Sequence, residues 1–459
     1  MPLTPVEQAM LEAIDACLPS DTQAAMLKGD ADLRSHFEVS ALASTTILAA
    51  TRQLARVMHL CGQPTNLSVD RSLASAWFSS TIQPIGWQLP PIWDAIAGDY
   101  PCADGWIRIH TNAPHHKLAC QSVLGPHDTR EAVAAVLAGA CGDDIEAAIV
   151  AAGGCAARMR SCAEWAAHAQ GKAVAAEPLI DVAALPIPSG SPTLQLTPRA
   201  GQPLHGLRVL DLTRILAGPT ATRFLAALGA DVLRIDPPGW EEPSVVPDVT
   251  LGKRCARLDL KRPPNRDQFA ALLAQADVLI HGYRPGAMAA LGYDTARLRS
   301  LAPHLVAVSL CAYGDQGPWA GRRGFDSLVQ MSCGIADAGM HAFAATKPTP
   351  LPVQALDYAT GYLMAAAALY GIGDRLAHGR SIAARLSLAR TAELLKIHPR
   401  PARRDPVIGA QADSFAPQPE HTPWGPVRRR VFPVSIDDVP VVSARPAAAL
   451  GSSPPAFGR

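Results

Sequence analysis

Four short stretches in the second half of the chain combine backbone-opening Gly or Pro with cations or aromatic rings. They are Arg214-Ile-Leu-Ala-Gly-Pro219, Gly252-Lys-Arg254, His281-Gly-Tyr-Arg-Pro-Gly286, and Tyr313-Gly-Asp-Gln-Gly-Pro-Trp319 running on to Arg322-Arg-Gly-Phe-Asp326. Free amides and guanidinium groups in such loops suit a phosphate-bearing nucleotide. A single loop of this kind is an ordinary connection; four at the expected ends of successive strands point to a ligand. A fifth stretch, Leu356-Asp-Tyr-Ala-Thr-Gly361, sets an acid just ahead of a helical run. Asp357 there can be a plain helix cap. It can equally be a carboxylate nucleophile, kept ionised by the amides at the start of the helix.

Other chemistries find less support. A nicotinamide enzyme needs a glycine fingerprint after its first strand, and Leu212-Thr-Arg-Ile-Leu-Ala-Gly-Pro219 has one glycine where that motif wants three. No GxSxG elbow marks a serine hydrolase. His110, His115 and His116 lack an acid or cysteine at a familiar ligand spacing, so they read as surface histidines and no metal is expected. The ten cysteines form no CxxC pair; Cys102, Cys155, Cys255, Cys311 and Cys333 sit among apolar neighbours and read as small hydrophobes. With 41 Lys and Arg against 40 Asp and Glu, the net charge gives no argument for nucleic acid or an anionic membrane.

These loops must be positioned by a scaffold, and 459 residues suggest two domains. Residues 1–184 are Ala-rich and mostly helical in pattern, as in Ala41–Cys61 and Arg130–Ala140, broken by a strand-like Gly98–His110 with a turn at Asp104-Gly105. Residues 185–204 are Pro-rich and read as a linker. From 205 to 395, short apolar runs alternate with helical patterns, which is the mark of an α/β domain with a wound, mostly parallel sheet. Residues 396–459, rich in Pro and Arg, read as an extended or partly ordered tail. Ala43–Ala50 with Leu67–Arg71 faintly parallels Ala359–Ala366 with Leu386–Arg390. The start of the chain lacks a signal-peptide pattern, and the longest apolar stretch, Tyr362–Ile372, is about half of the roughly 20 residues that span a bilayer. A cytoplasmic protein is expected.

Residues 205–392 resemble the family III CoA-transferases, the group that also holds the α-methylacyl-CoA racemases. The resemblance lies in Gly206–Pro219, Leu228–Ile235, Gly252-Lys-Arg254 with Leu258-Asp-Leu260, Ala276–Ile280 with Tyr283–Gly286, Gly324-Phe-Asp326 and Leu356–Gly361, in family order. It implies a Rossmann-like CoA-binding domain with Asp357 as catalytic carboxylate. It also implies CoA contacts from Leu216, Ala217, Lys253, Arg254, Gly282, Tyr283, Arg284, Arg323 and Phe325. Tyr100–Trp106 and Cys162–Trp165 resemble marks of the family's smaller α+β domain, which here precedes the wound sheet in a permuted order. Ala41 stands opposite Asp357 in the faint repeat, so one active centre per chain is expected.

The resemblance implies transfer of CoA from an acyl-CoA to a small carboxylic acid through an aspartyl intermediate, in a homodimer and without a further cofactor. Two alternatives stay open. A racemase would need a histidine before Asp326, where Phe325 stands and cannot carry a proton. A CoA-binding protein without turnover is suggested by two departures, Gly282 in place of the family's Asn and the missing Asn before Gly252.

Overall fold

The computed structural model describes residues 2–20, 25–400 and 414–458. Its centre is a seven-stranded sheet in the order Arg254–Arg257, Asp231–Asp236, Arg208–Leu212, Val278–His281, Val306–Cys311, Arg380–Ser387, Asp181–Pro186. All neighbours are parallel except the last pair. Val209, Leu210, Val278, Leu279 and Ile280 are each fully buried, as strands covered on both faces require. The chain runs outward from Arg208–Leu212 to one edge, then returns to lay Val278–His281 on the other side. That reversal opens a crevice between the carboxyl ends of these two strands, the usual ligand position in open α/β sheets.

The mixed α/β architecture with a mostly parallel sheet agrees with the expectation, and the Arg208–Leu212 strand and the Thr295–Leu301 helix fall where the pattern placed them. Three details differ. Asp181–Pro186, spanning the expected boundary between the N-terminal region and the linker, is the antiparallel edge strand. Its burial is slight, so no apolar run announced it. The third strand begins at Arg254 rather than Ala256, which puts Gly252 and Lys253 ahead of the strand. The described part of the expected tail also contains strands: Gly425–Arg429 pairs with Ile82–Pro84, and Val434–Ile436 with Leu67–Asp70. Residues 401–413 of that tail lie outside the described residues.

The N-terminal region contributes two pieces. The long helix Val39–Leu60 packs on the long helix Ala355–His378, both lined with buried alanines. Each of these helices leads to a strand and then a short capped helix. Asp70 accepts the Leu73 N–H at 2.9 Å in one copy, and Ser387 accepts the Arg390 N–H at 3.1 Å in the other. The faint sequence repeat is therefore repeated local structure. The second piece is a hairpin, Gly98–Cys102 with Gly105–Ile109, extended by Ala156–Arg158 and backed by helices between Pro114 and Ala151. It packs on the helix Asp326–Ser332 through Ala157, Cys155, Leu328 and Met331.

One buried cluster ties distant segments together. Asp248 accepts from Arg223 at 2.5 Å, from Arg429 at 3.1 Å and from the Thr81 backbone at 3.0 Å. No helix among the described residues is long and apolar enough to cross a membrane. All ten cysteines are free.

The Ala355–His378 helix also crosses the helix Ala217–Ala227 very closely. A Cβ added at Gly361 would lie 2.4 Å from the Ala217 carbonyl oxygen and 2.8 Å from Thr220. Backbone cannot yield as a flexible side chain can. Gly361→Ala is expected to lower the unfolding free energy by about 1–3 kcal/mol, measured from denaturant melts against wild type.

Candidate active site

The first strand ends in Asp211, whose carboxylate organises the loop that follows. It accepts the Thr213 N–H at 2.9 Å and the Thr213 hydroxyl at 2.5 Å, and the Thr222 hydroxyl at 2.6 Å. Lys253 joins it at 3.0 Å and donates also to Thr222 and to the Pro219 carbonyl. Burial pushes Asp211 up, but Lys253, Arg234 and the two hydroxyls outweigh it and hold the carboxyl below its ordinary range.

Between these anchors the loop is strained. Ile215 has φ 65°, the left-handed region that a β-branched residue rarely enters. Glu242 holds it there by accepting the Ile215 N–H at 2.8 Å. Glu242 is itself fixed by the Trp240 indole at 2.8 Å and by Arg234 at 2.9 Å. The strained turn sends Arg214 across the crevice, 4.5 Å from the Trp240 ring, with a guanidinium nitrogen 3.2 Å from the Tyr283 hydroxyl. Leu216 and Ala217 follow at the start of the Ala217–Ala227 helix, where Leu216 makes no side-chain cap. The positive end of that helix and the Arg214 cation thus meet at the switch point, an arrangement suited to an anionic ligand.

Asp357 lies one helix away, in the first turn of the Ala355–His378 helix rather than ahead of it. The side chain is not an N-cap. It is buried, 9% exposed, against Asp326, whose carboxylate accepts the Asp357 N–H at 2.9 Å. Gln330 donates its amide to the other Asp326 oxygen and is held by the Leu351 N–H at 2.7 Å. Burial raises Asp326 to about 6 against these hydrogen bonds. Burial and then the Asp326 charge hold Asp357 well above the usual carboxylate range. The amides of Leu356 and Asp357 at the start of the helix are directed at Asp326, not at the Asp357 side chain.

The N-terminal hairpin closes over this pair. Phe325, the residue before Asp326, has the His110 ring stacked on it at 3.8 Å and 4°. His116 meets the same ring edge-on at 5.8 Å. Both histidines are 5% exposed, which corrects their reading as surface residues; His115 alone is exposed. Burial, with the neighbouring His116 and Arg108, pushes His110 down to about 3; burial, with His115 and Arg323, pushes His116 down to about 4. The two imidazoles are neutral at neutral pH. Burial and then Arg323 and Arg214 also lower His115, so the hairpin region faces the crevice cations.

The expected contact residues divide. Leu216, Gly282, Tyr283, Arg284, Arg323 and Phe325 lie in loops that follow strands on the carboxyl edge, and Ala217 opens the helix after the first of them. Arg323 donates to the Gly153 carbonyl at 3.0 Å, and Arg284 is exposed. Lys253 and Arg254 do not join them. Lys253 is fully buried on Asp211, and Arg254 pairs with Asp231 at 2.9 Å at the opposite edge of the sheet. There it lines a cavity of about 640 Å³ with Arg208 and Asp277. Gly252-Lys-Arg254 leads into the strand Arg254–Arg257 rather than following a strand, so it lies with Arg208 and Asp277 at the strand starts. Asp326, Arg214, His110 and His116 were not singled out as site residues, although Arg214 opens one of the ligand-type loops and Asp326 ends the Gly324-Phe-Asp326 motif. Among the described residues no three His, Cys, Asp or Glu side chains converge as metal ligands.

The sequence model of CoA-transferase family III matches residues 204–399, the stretch that carries the strained loop, Asp326 and Asp357. This segment is similar to CoA-transferase family III. A probable fatty acyl-CoA transferase of Mycobacterium tuberculosis is 31% identical over 262 residues, covering 51% of this chain and 61% of that protein. A human succinyl-CoA:glutarate CoA-transferase is 31% identical over 196 residues, covering 39% of this chain and 44% of that protein. The chain thus spans less than two thirds of the length of these relatives. A crystal structure of a CAIB/BAIF family protein from Brucella suis is 26% identical, covers 49% of this chain and 65% of that one, and has a TM-score of 0.39.

The carboxyl pair predicts a titration. Asp326→Asn removes the like charge, so the Asp357 midpoint should fall toward its ordinary value, read by carboxyl ¹³C NMR. An unmoved midpoint would show that burial alone sets it. Both carboxyls are raised in the folded chain, so their contribution to stability is present below about pH 4 and is lost as pH rises through the folded values.

Proposed function

We propose that the chain transfers CoA from an acyl-CoA to a small carboxylic acid, with Asp357 as the covalent nucleophile. The observation that carries this reading is the buried Asp326–Asp357 pair, on a helix that crosses Ala217 at Gly361, within the segment that matches the family III model. The names of the relatives, with fatty acyl, succinyl and glutarate groups, are consistent with an acyl-CoA donor and an acid acceptor.

In this mechanism the ionised carboxylate of Asp357 attacks the thioester carbonyl. A C–O bond forms and the C–S bond breaks, giving a mixed anhydride and CoA thiolate. The thiolate attacks the Asp357 carbonyl, releasing the donor's acid as a carboxylate and leaving an aspartyl-CoA thioester. The acceptor carboxylate attacks that thioester and expels the thiolate. The thiolate then takes the new acyl group and frees Asp357. The sequence begins and ends with a CoA thioester, so it needs no external energy source. The raised pKa of Asp357 makes its ionised form more basic, hence more nucleophilic. The cations Arg214 and Arg284, with the amides at Leu216 and Ala217, are suited to the CoA phosphates. The family resemblance also supports a homodimer, which light scattering would check.

Incubation with acetyl-CoA followed by hydroxylamine should leave a hydroxamate on Asp357, located by peptide mass spectrometry. Asp357→Asn should lose both the label and at least ~10³-fold of turnover. Deuterium incorporation at the acyl α-carbon without a label would instead indicate a racemase. CoA binding without either result would indicate a protein that does not turn over.

A further inference from the structure

His110 and His116 do nothing in that mechanism, yet their placement is costly for packing alone. The Nδ1 of His110 and both ring nitrogens of His116 are buried without a hydrogen-bond partner in the protein. A buried polar group without a partner costs about 1–3 kcal/mol, and native interiors rarely keep two such rings side by side unless something else uses them. An apolar ring would fill the same space against Phe325 without that cost.

The rings are also held firmly. The His110 N–H donates to the Cys155 carbonyl at 2.9 Å. The next residue, Thr111, donates to Asp94 at 2.7 Å, and the Trp93 ring meets His110 edge-on at 5.8 Å. His116 is fixed in the first turn of the helix Pro114–Leu124, its N–H on the Ala113 carbonyl at 2.9 Å. The histidine pair is thus a rigid, polar patch on the ring of the residue preceding Asp326. Arg108, two residues before His110, acts electrostatically on both Asp326 and His110. The patch is stacked on Phe325, one residue from the Asp326 carboxylate that accepts the Asp357 N–H.

We infer that His110 and His116 form the subsite for the free acid, donating imidazole N–H groups to its carboxylate beside Asp357. This inference rests on the CoA-transfer reading. The division of labour follows from the chemistry. CoA phosphates are bulky and strongly hydrated, and suit exposed cations and a helix terminus. The acid must come to a buried carboxyl pair, where an added fixed cation would hold it too firmly to react. A neutral imidazole offers one donor per ring, enough to orient a carboxylate through a charge-assisted bond and still release it. The reaction leaves the donor's acid where the acceptor must enter, so one subsite serves both.

The test uses the full chain with ¹⁵N-labelled histidine, its two imidazole signals assigned through His110→Phe and His116→Phe. Acetate, oxalate, succinate and octanoate are titrated separately, and CoA alone in parallel. At least one acid should move the His110 and His116 ring signals of the wild-type chain, and CoA alone should leave them in place. In His116→Phe the KM for the acid that binds should rise at least tenfold, with KM for acyl-CoA changed less than threefold and Asp357 still labelled by hydroxylamine. Signals that no acid moves, in a chain that does label Asp357, would overturn the inference. So would loss of the label in His116→Phe, or an equal rise in both KM values. If the wild-type chain fails to label Asp357 while an acid still moves both rings, the acid site stands and the CoA-transfer reading falls.

Discussion

The close crossing at Gly361 governs where everything else can be. Only a residue without a side chain lets the Ala355–His378 helix approach the Ala217 carbonyl so nearly. That approach brings the loop that follows the first strand and the helix that carries Asp357 to one place. The same long helix leans on Val39–Leu60 and on the last parallel strand. The site is therefore built where two helices and a sheet edge are pressed together, and its precision derives from a packed core rather than from loop order. The strained Ile215 is tolerated because this frame, with Glu242, over-determines its conformation.

Two buried aspartates illustrate how partners decide the state of an acid. Asp211 and Asp357 are both removed from water. Asp211 has a lysine ammonium and two hydroxyls aimed at it, and keeps its charge. Asp357 has a second carboxylate as its neighbour and no cation on its side chain. The first arrangement is a fixture of the fold, and the second is an acid poised to change state. Lys253, the cation that composition would assign to a phosphate, is committed to the fixture.

Much of the scaffold could be read from the sequence because buried parallel strands are continuous apolar runs, as in Val278–His281, and exposed helices are capped, as at Asp294 before Thr295–Leu301. Asp357 was visible because it sits within ordered motifs. Its environment was not, since Asp326 reaches it through a hydrogen bond to the backbone that no local pattern encodes. The histidines were misread for a similar reason: whether a ring beyond a strand end faces water depends on what packs there, and Phe325 comes from far along the chain. The edge strand Asp181–Pro186 escaped because an edge needs little apolar surface to be recruited.

The way the strands are shared has a consequence for biosynthesis. Asp181–Pro186 has no partner until Arg380–Ser387 has been made, and Leu67–Asp70 pairs on one side with Val434–Ile436. Contacts this distant in sequence close late and slowly. A ribosome that has released the first half has therefore delivered a strand edge and apolar helices whose coverings are still to be translated. Such a chain waits, partly open, for its own later residues.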